Sequence, residues 1–107
     1  MSLDVSLYAT QRTGIFERNI THNLGKMARF AGCYEALWRP EEIGAKKAKD
    51  IIPALTLGLA NLEADPAHYR TFEPENKWGT YDGLVRFVRD YLAACKENPD
   101  AEIEVSR

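Results

Sequence analysis

The chain is 107 residues long, the size of one ordinary domain, which can bury a hydrophobic core without help from disulfides or a metal. Hydrophobic residues make up 45% of it and charged residues 28%, a balance that excludes a disordered or fibrous chain. Its 14 basic and 16 acidic side chains leave a net charge of −2, so no positive field would attract nucleic acid, and we expect no nucleic-acid partner.

Alternating apolar and polar residues predict a β-strand at each end of the chain, over residues 3–9 and 101–106. Because isolated strands are marginal in water, we expect these two to pair with each other as an antiparallel, two-stranded ribbon that packs on helices. The segment Thr10–Arg18 between the first strand and the first helix is predicted to be a loop. Gly14 would permit its turn, and Ile15 and Phe16 would pack against the core.

The first helix is predicted over residues 21–37. Thr21 suits its N-cap, with Asn19 as an alternative, and the apolar residues that follow recur every three or four positions. Glycines inside a helix cost about 1 kcal/mol each relative to alanine, so Gly25 and Gly32 need an explanation. One interpretation is the close approach of a ligand or another backbone, and the other, which we favour for Gly32, is a left-handed residue that closes the helix.

Further helices are predicted over residues 41–64, 66–72 and 80–97. Pro40 suits the start of the first of these, and Pro53 predicts a bend near Asp50, either as a kink or as the start of a new helix. Thr80 is the expected cap of the last helix. The sequence therefore predicts a single domain of the α+β class, mainly helical, with three to four helices and a terminal ribbon.

The sequence gives no indication of secretion, membrane insertion or metal binding. The longest apolar run, residues 51–60, is much shorter than the roughly 20 residues that span a bilayer, and the N-terminus lacks the pattern of a signal peptide. We therefore expect a cytoplasmic protein with no membrane contact. Cys33 and Cys95 match neither a disulfide framework nor a metal motif, so we expect buried free thiols, no metal and no cofactor.

His22 and Asn23 form a polar group at the predicted start of the first helix, where free backbone N–H groups can bind an anion. His22 is also the candidate general base if the protein is an enzyme, and the alternative is that it is an ordinary structural side chain. On a continuous helix a catalytic pair of His22 with Cys33 is excluded, because a rise of ~1.5 Å per residue would separate the two by roughly 16 Å. Only a break near Gly32 or a second chain could bring them together.

Two tryptophans and their neighbours complete the candidate site. Tryptophan, tyrosine and arginine dominate binding surfaces where they are exposed, although they are also common in cores. A cleft that combined them with His22 would suit a flat, anionic ligand such as a nucleotide. The predicted ligand-binding residues are His22, Asn23, Trp38, Arg39, Trp78 and Tyr81.

Three blocks of the chain resemble a family of small bacteriophage and bacterial proteins with no assigned activity: Asn-Ile-Thr-His-Asn-Leu at 19–24, Leu-Trp-Arg-Pro-Glu-Glu at 37–42 and Trp-Gly-Thr-Tyr at 78–81. The resemblance covers most of the chain and implies a phage-associated or bacterial cytoplasmic setting. Since small phage proteins often bind a host component, it also implies a binding role.

The leading hypothesis is accordingly a non-enzymatic protein that binds a host protein or a small anionic ligand near the start of the first helix. The alternatives are a small hydrolase or transferase that uses His22 as its base, and a structural subunit of a homo-oligomer. A homodimer is expected, because small chains often build their sites between subunits.

Overall fold

The computed structural model describes residues 2–9 and 14–107 and confirms the α+β class. A three-stranded antiparallel sheet packs against helices, and short 3₁₀ turns at His22–Leu24 and Pro40–Ile43 connect several elements. Within the described residues, no helix is long and apolar enough to cross a membrane. The elements are β1 Ser2–Tyr8, β2 Gly14–Thr21, α1 Gly25–Ala31, α2 Tyr34–Trp38, α3 Ala48–Ala64, α4 Pro66–Arg70, α5 Tyr81–Glu97 and β3 Glu102–Ser106.

The sheet has the order β2-β1-β3, with β1 at its centre. The predicted antiparallel pairing of the two terminal strands is confirmed, since Val5 lies opposite Val105 and Leu7 opposite Ile103. The side chains of β1 that face the helices, Leu3, Val5 and Leu7, are fully buried. Their alternation made this strand recognisable in the sequence.

The prediction of only two strands is wrong, because β2 pairs with the other edge of β1. Residues 14–18 of the predicted loop belong to this strand, while residues 10–13 lie outside the described part of the chain. Of the eight residues in β2, Ile20 alone is buried, so the strand lacks a period-two apolar pattern. It forms because β1 offers an unpaired edge, which is a property of the tertiary fold.

The predicted helix over residues 21–37 is divided into a 3₁₀ turn, α1 and α2. Gly32 has a φ of 92°, and its N–H and that of Cys33 both donate to the Ala28 carbonyl at 3.0 Å. This left-handed closure is the interpretation favoured for Gly32, and it is confirmed. Gly25, by contrast, adopts ordinary helical geometry beside the Tyr34 ring.

The predicted helix over residues 41–64 is also shorter than expected. Gly44, with a φ of 71°, ends the 3₁₀ turn, and α3 begins at Ala48. The Asp50 carboxylate accepts hydrogen bonds from the backbone N–H groups of Lys46 and Lys47 at 3.0 Å, which lowers the pKa of that carboxyl group. Pro53 therefore lies inside α3 and does not start a new helix.

The last two helices agree closely with prediction. The Asp65 carboxylate caps α4 by accepting from the N–H of His68 at 3.3 Å, and α4 ends at Arg70, two residues earlier than predicted. The Thr80 hydroxyl caps α5 by accepting from the N–H of Gly83 at 3.0 Å. Both starts follow from ordinary capping residues, which are local signals.

Cys33 and Gly58 form a close contact between the α1–α2 corner and α3. A Cβ atom on Gly58 would lie 2.6 Å from the Cβ and 2.7 Å from the Sγ of Cys33, so only glycine fits at this position of α3. Cys33 and Cys95 are both free and fully buried, as predicted. The cost of a glycine inside α3 is therefore offset by close packing of the two elements.

We expect Gly58→Ala to lower the free energy of unfolding by about 1–3 kcal/mol, because the added methyl group overpacks the contact with Cys33. Gly25→Ala is the matched control, since its Cβ would meet the nearest atom of Tyr34 at 3.4 Å, an ordinary contact. Urea denaturation of both variants measures the difference. Equal stabilities for the two variants would contradict this account of Gly58.

Stability should also decrease in alkaline solution. Burial raises the pKa of Cys33 and of Cys95 to about 12, from an ordinary value of 9.0. Above pH 9 the unfolded chain therefore releases thiol protons that the folded chain retains, which favours unfolding. We expect the free energy of unfolding, measured with urea, to fall as pH rises from about 9 towards 12.

Cys95→Ala provides the control, because it removes one of the two groups and should make the decrease with pH smaller. The native protein should also react slowly with a thiol reagent near neutral pH and quickly once unfolded. Rapid labelling of either thiol in the folded protein would contradict the burial described here.

Candidate functional site

His22 and Trp38 are joined by a hydrogen bond in which the Trp38 indole N–H donates to His22 Nδ1 at 2.9 Å. Trp38 is 2% exposed, so its N–H needs a partner inside the protein. Because Nδ1 accepts this bond, the neutral imidazole carries its proton on Nε2. Among the described residues, no group bonds to that buried Nε2 atom.

This arrangement determines what His22 can do chemically. The lone pair on Nδ1, which is the basic site of the neutral ring, already accepts the hydrogen bond from Trp38. That partner is an indole, which does not orient a general base as a carboxylate would. Cys33 lies against Gly58 in the core and is not a partner of His22. His22 is thus a structural acceptor for Trp38.

Aromatic and cationic side chains stack outward from Trp38. The Tyr34 ring lies parallel to Trp38 with centroids 5.3 Å apart, and the Arg29 guanidinium lies 4.1 Å from the Tyr34 centroid. Arg39 follows Trp38 and forms an exposed ion pair with Glu42 at 3.5 Å. A hydrogen bond with Tyr34 raises the pKa of Arg39 above its usual value.

Asn23 and Trp78 connect the start of the first helical segment to the loop before α5. The Asn23 side-chain amide donates to the Trp78 carbonyl at 3.4 Å, and the Trp78 N–H donates to Asn76 at 2.9 Å. These bonds hold the backbone of Trp78, while its side chain is 71% exposed. Asn23 and Trp78 are therefore neighbours, as the predicted site required.

Tyr81, the sixth predicted ligand residue, lies in the core. It is 5% exposed, its hydroxyl donates to the Leu62 carbonyl and its N–H donates to the Glu73 carboxylate at 2.7 Å. The six predicted residues therefore do not line one cleft. His22, Trp38 and Arg39 belong to one group, Asn23 and Trp78 to another, and Tyr81 stabilises the packing of α3 against α5.

A groove of about 430 Å³ runs between β2 and the first turns of α5, beside the Asn23–Trp78 connection. Arg18 and Arg86 stand on its two sides, and none of its described lining residues is acidic. A second cavity of about 390 Å³ lies at the loop before α5 and is lined partly by Glu73 and Glu75. The groove is lined by Arg18, Asn19, Ile20, Thr21, Leu24, Gly79, Thr80, Gly83, Arg86 and Phe87.

The two arginines of the groove differ in their surroundings. Arg18 forms an ion pair with Asp90 at 3.1 Å and lies over the Phe16 ring at 5.4 Å, which holds its side chain in place. Arg86 is exposed and forms no ion pair with any residue that the structure describes. Arg86 is therefore the cation with the most freedom to meet an anion.

The backbone N–H groups at the start of α5 contribute less to anion binding than their position at a helix N-terminus suggests. The N–H groups of Tyr81 and Gly83 already donate to Glu73 and Thr80, so they are not free to bind an anion. At the start of the first helical segment, the His22–Leu24 turn has three residues, and the Thr21 hydroxyl accepts from the Asn23 N–H at 3.3 Å. Any anion in the groove would thus depend on the arginine side chains.

Gly79 brings the walls of the groove together. It has a φ of 107°, and a Cβ atom there would lie 2.7 Å from Thr21 and 2.9 Å from Leu24. Only glycine permits both the backbone conformation and the close approach. The sequence does not predict that Arg18, Gly79 and Arg86 meet at one groove, because they are far apart along the chain and form no motif.

The described residues contain no group of three or more histidine, cysteine or acidic side chains that could hold a metal ion. Comparisons of the chain with protein-family models, with curated proteins and with solved structures find no match.

We expect His22→Ala to lower the free energy of unfolding by about 1–3 kcal/mol, because it leaves the buried Trp38 N–H without an acceptor. His68→Ala is the control, since the side chain of His68 makes ring contacts with Tyr69 and Phe72 and its described hydrogen bonds use only the backbone. Urea denaturation compares the two variants. A His22→Ala protein as stable as the wild type would contradict the structural role of His22.

Proposed function

We propose that this protein is a small cytoplasmic binding protein that holds a small anionic, nucleotide-like ligand in the groove between β2 and α5. The observation that carries the proposal is that two arginines, Arg18 and Arg86, line a groove whose described lining contains no acidic side chain. The groove adjoins the start of the first helical segment through Thr21 and Leu24.

Size supports this assignment. A groove of about 430 Å³ falls within the roughly 300–1,000 Å³ typical of sites for small molecules. Apolar side chains, Ile20, Leu24 and Phe87, line it together with the polar and cationic ones. Such a lining suits a ligand that has an anionic group and a flat apolar part.

The anionic group and the planar part of the ligand would contact different residues of the site. Arg86 can donate two parallel hydrogen bonds to a phosphate or carboxylate, and Arg18 adds a second positive charge that Asp90 holds in position. Trp78 precedes the groove residue Gly79 and exposes a large aromatic face on which a base or another planar group can stack.

An enzymatic role has less support. A general base needs a free lone pair, whereas His22 Nδ1 accepts the Trp38 N–H, and His22 is not among the groove-lining residues. A phage-associated setting and a host-protein partner are supported only by the resemblance of the three sequence blocks.

Arg86→Ala should weaken binding of adenosine monophosphate and of inorganic phosphate about tenfold or more, because a charge-assisted bidentate contact is lost. Its thermal stability should not change, since Arg86 is exposed and has no described ion pair. Arg89→Ala is the matched control, because Arg89 lies one turn later on α5, pairs with Glu63 at 2.9 Å and does not line the groove. Isothermal titration calorimetry measures both affinities.

Trp78→Ala separates stacking from charge recognition. It should weaken binding of adenosine monophosphate and leave that of inorganic phosphate unchanged. The proposal fails if the wild-type protein binds neither compound, or if Arg86→Ala and Arg89→Ala weaken binding equally, which would indicate non-specific attraction to surface charge.

A further inference from the structure

The outward face of α3 carries no charged side chain across its middle. Residues 51–62 contain no aspartate, glutamate, lysine or arginine, although Pro53, Thr56, Leu57 and Ala60 are exposed. The Thr56 hydroxyl donates to the Ile52 carbonyl at 2.7 Å within the same helix, so its hydrogen-bonding group is already partnered. Leu57 is 55% exposed at the centre of this face.

The other long helix shows that this is not a general property of the fold. Both α3 and α5 have 17 residues, and both bury one face in the core. The exposed positions of α5 are nevertheless charged, except for Ala93; they are Asp82, Arg86, Arg89, Ala93, Lys96 and Glu97.

Packing within the chain does not explain the apolar outer face of α3. The buried residues of α3 lie on its inner face and are Ala48, Ile51, Leu55, Gly58 and Leu62, and Ile52, Ala54 and Leu59 pack partly on the core beside them. A helix that is apolar on both faces is typical of one that is covered on both sides.

We propose that this face of α3 packs against the same face of a second copy of the chain, with the two helices antiparallel across a twofold axis near Thr56. A twofold interface places each surface against itself, so a charged face would meet its own like charges. An uncharged face avoids this repulsion. Its exposed side chains, those of Pro53, Thr56, Leu57 and Ala60, allow two helices to pack closely.

Charge complementarity at the two ends specifies the antiparallel direction. Lys49 and Glu63 are both exposed, and each lies seven residues from Thr56, in opposite directions along the chain. Seven residues are close to two helical turns, so both lie near the line of Thr56 on the helix surface. The twofold axis therefore brings Lys49 of each copy to Glu63 of the other.

These two residues also have partners within their own chain. Lys49 lies 3.4 Å from Asp100 and Glu63 lies 2.9 Å from Arg89, and all four side chains are at least half exposed. Because exposed pairs of this kind contribute little to stability, they do not prevent either residue from turning to the second copy. The dimer face and the proposed ligand groove share no residue, so either can be tested without the other.

Sedimentation equilibrium from micromolar to near-millimolar protein tests the proposal. The wild type should approach twice the 12.1 kDa mass of the chain. Thr56→Glu should raise the dissociation constant of the dimer about 100-fold or more, because it places the carboxylate of each copy against that of the other at the twofold axis. Ala93→Glu, which introduces the same charge at an exposed position of α5, is the matched control and should remain dimeric.

Charge reversal tests the direction of the helices. Lys49→Glu and Glu63→Lys should each weaken the dimer about tenfold, since each creates two like-charge contacts across the axis. The double variant should restore wild-type association, although both intrachain pairs are then reversed. Circular dichroism melting of every variant shows whether it is folded.

Three results would overturn the proposal. The first is a wild-type protein that is monomeric at all concentrations, and the second is a dimer that Thr56→Glu and Ala93→Glu affect equally. The third is a double charge reversal that is no better associated than the single variants.

Discussion

The arrangement of the helices depends on the close contact between Cys33 and Gly58. Gly32 turns the chain through a left-handed residue, and the cysteine that follows it packs directly on the bare backbone of α3. This contact determines how near α3 lies to the corner between α1 and α2. Packing in protein interiors is dense enough that one methyl group at Gly58 would separate the two elements.

The polar residues at the start of the first helical segment have structural roles that the sequence does not distinguish from binding roles. His22 accepts from the indole of Trp38, Asn23 donates to the backbone of Trp78, and Thr21 accepts from the Asn23 N–H. Together they connect α2 and the loop before α5 to β2. The residues free to meet a ligand are those that remain, above all Arg86 and the side chain of Trp78.

The two proposed surfaces use different physical properties of the molecule. In the groove, two arginines line a cavity, the ion pair with Asp90 holds one of them in place, and Gly79 lets the walls approach closely. On the outer face of α3, charge is absent from the centre and opposite in sign at the two ends. One surface is suited to a small anion and the other to a copy of itself, and they share no residue.

Local patterns in the sequence determined the α+β class, the two terminal strands, the left-handed closure at Gly32 and the caps at Asp65 and Thr80. These features depend on neighbouring residues, through strand alternation, backbone preference and capping hydrogen bonds. The tertiary structure alone decided the third strand, the core position of Tyr81, the partner of His22 and the meeting of Arg18 with Arg86. Each of these depends on a contact between residues distant in the chain, and such contacts leave no periodicity or spacing in the sequence.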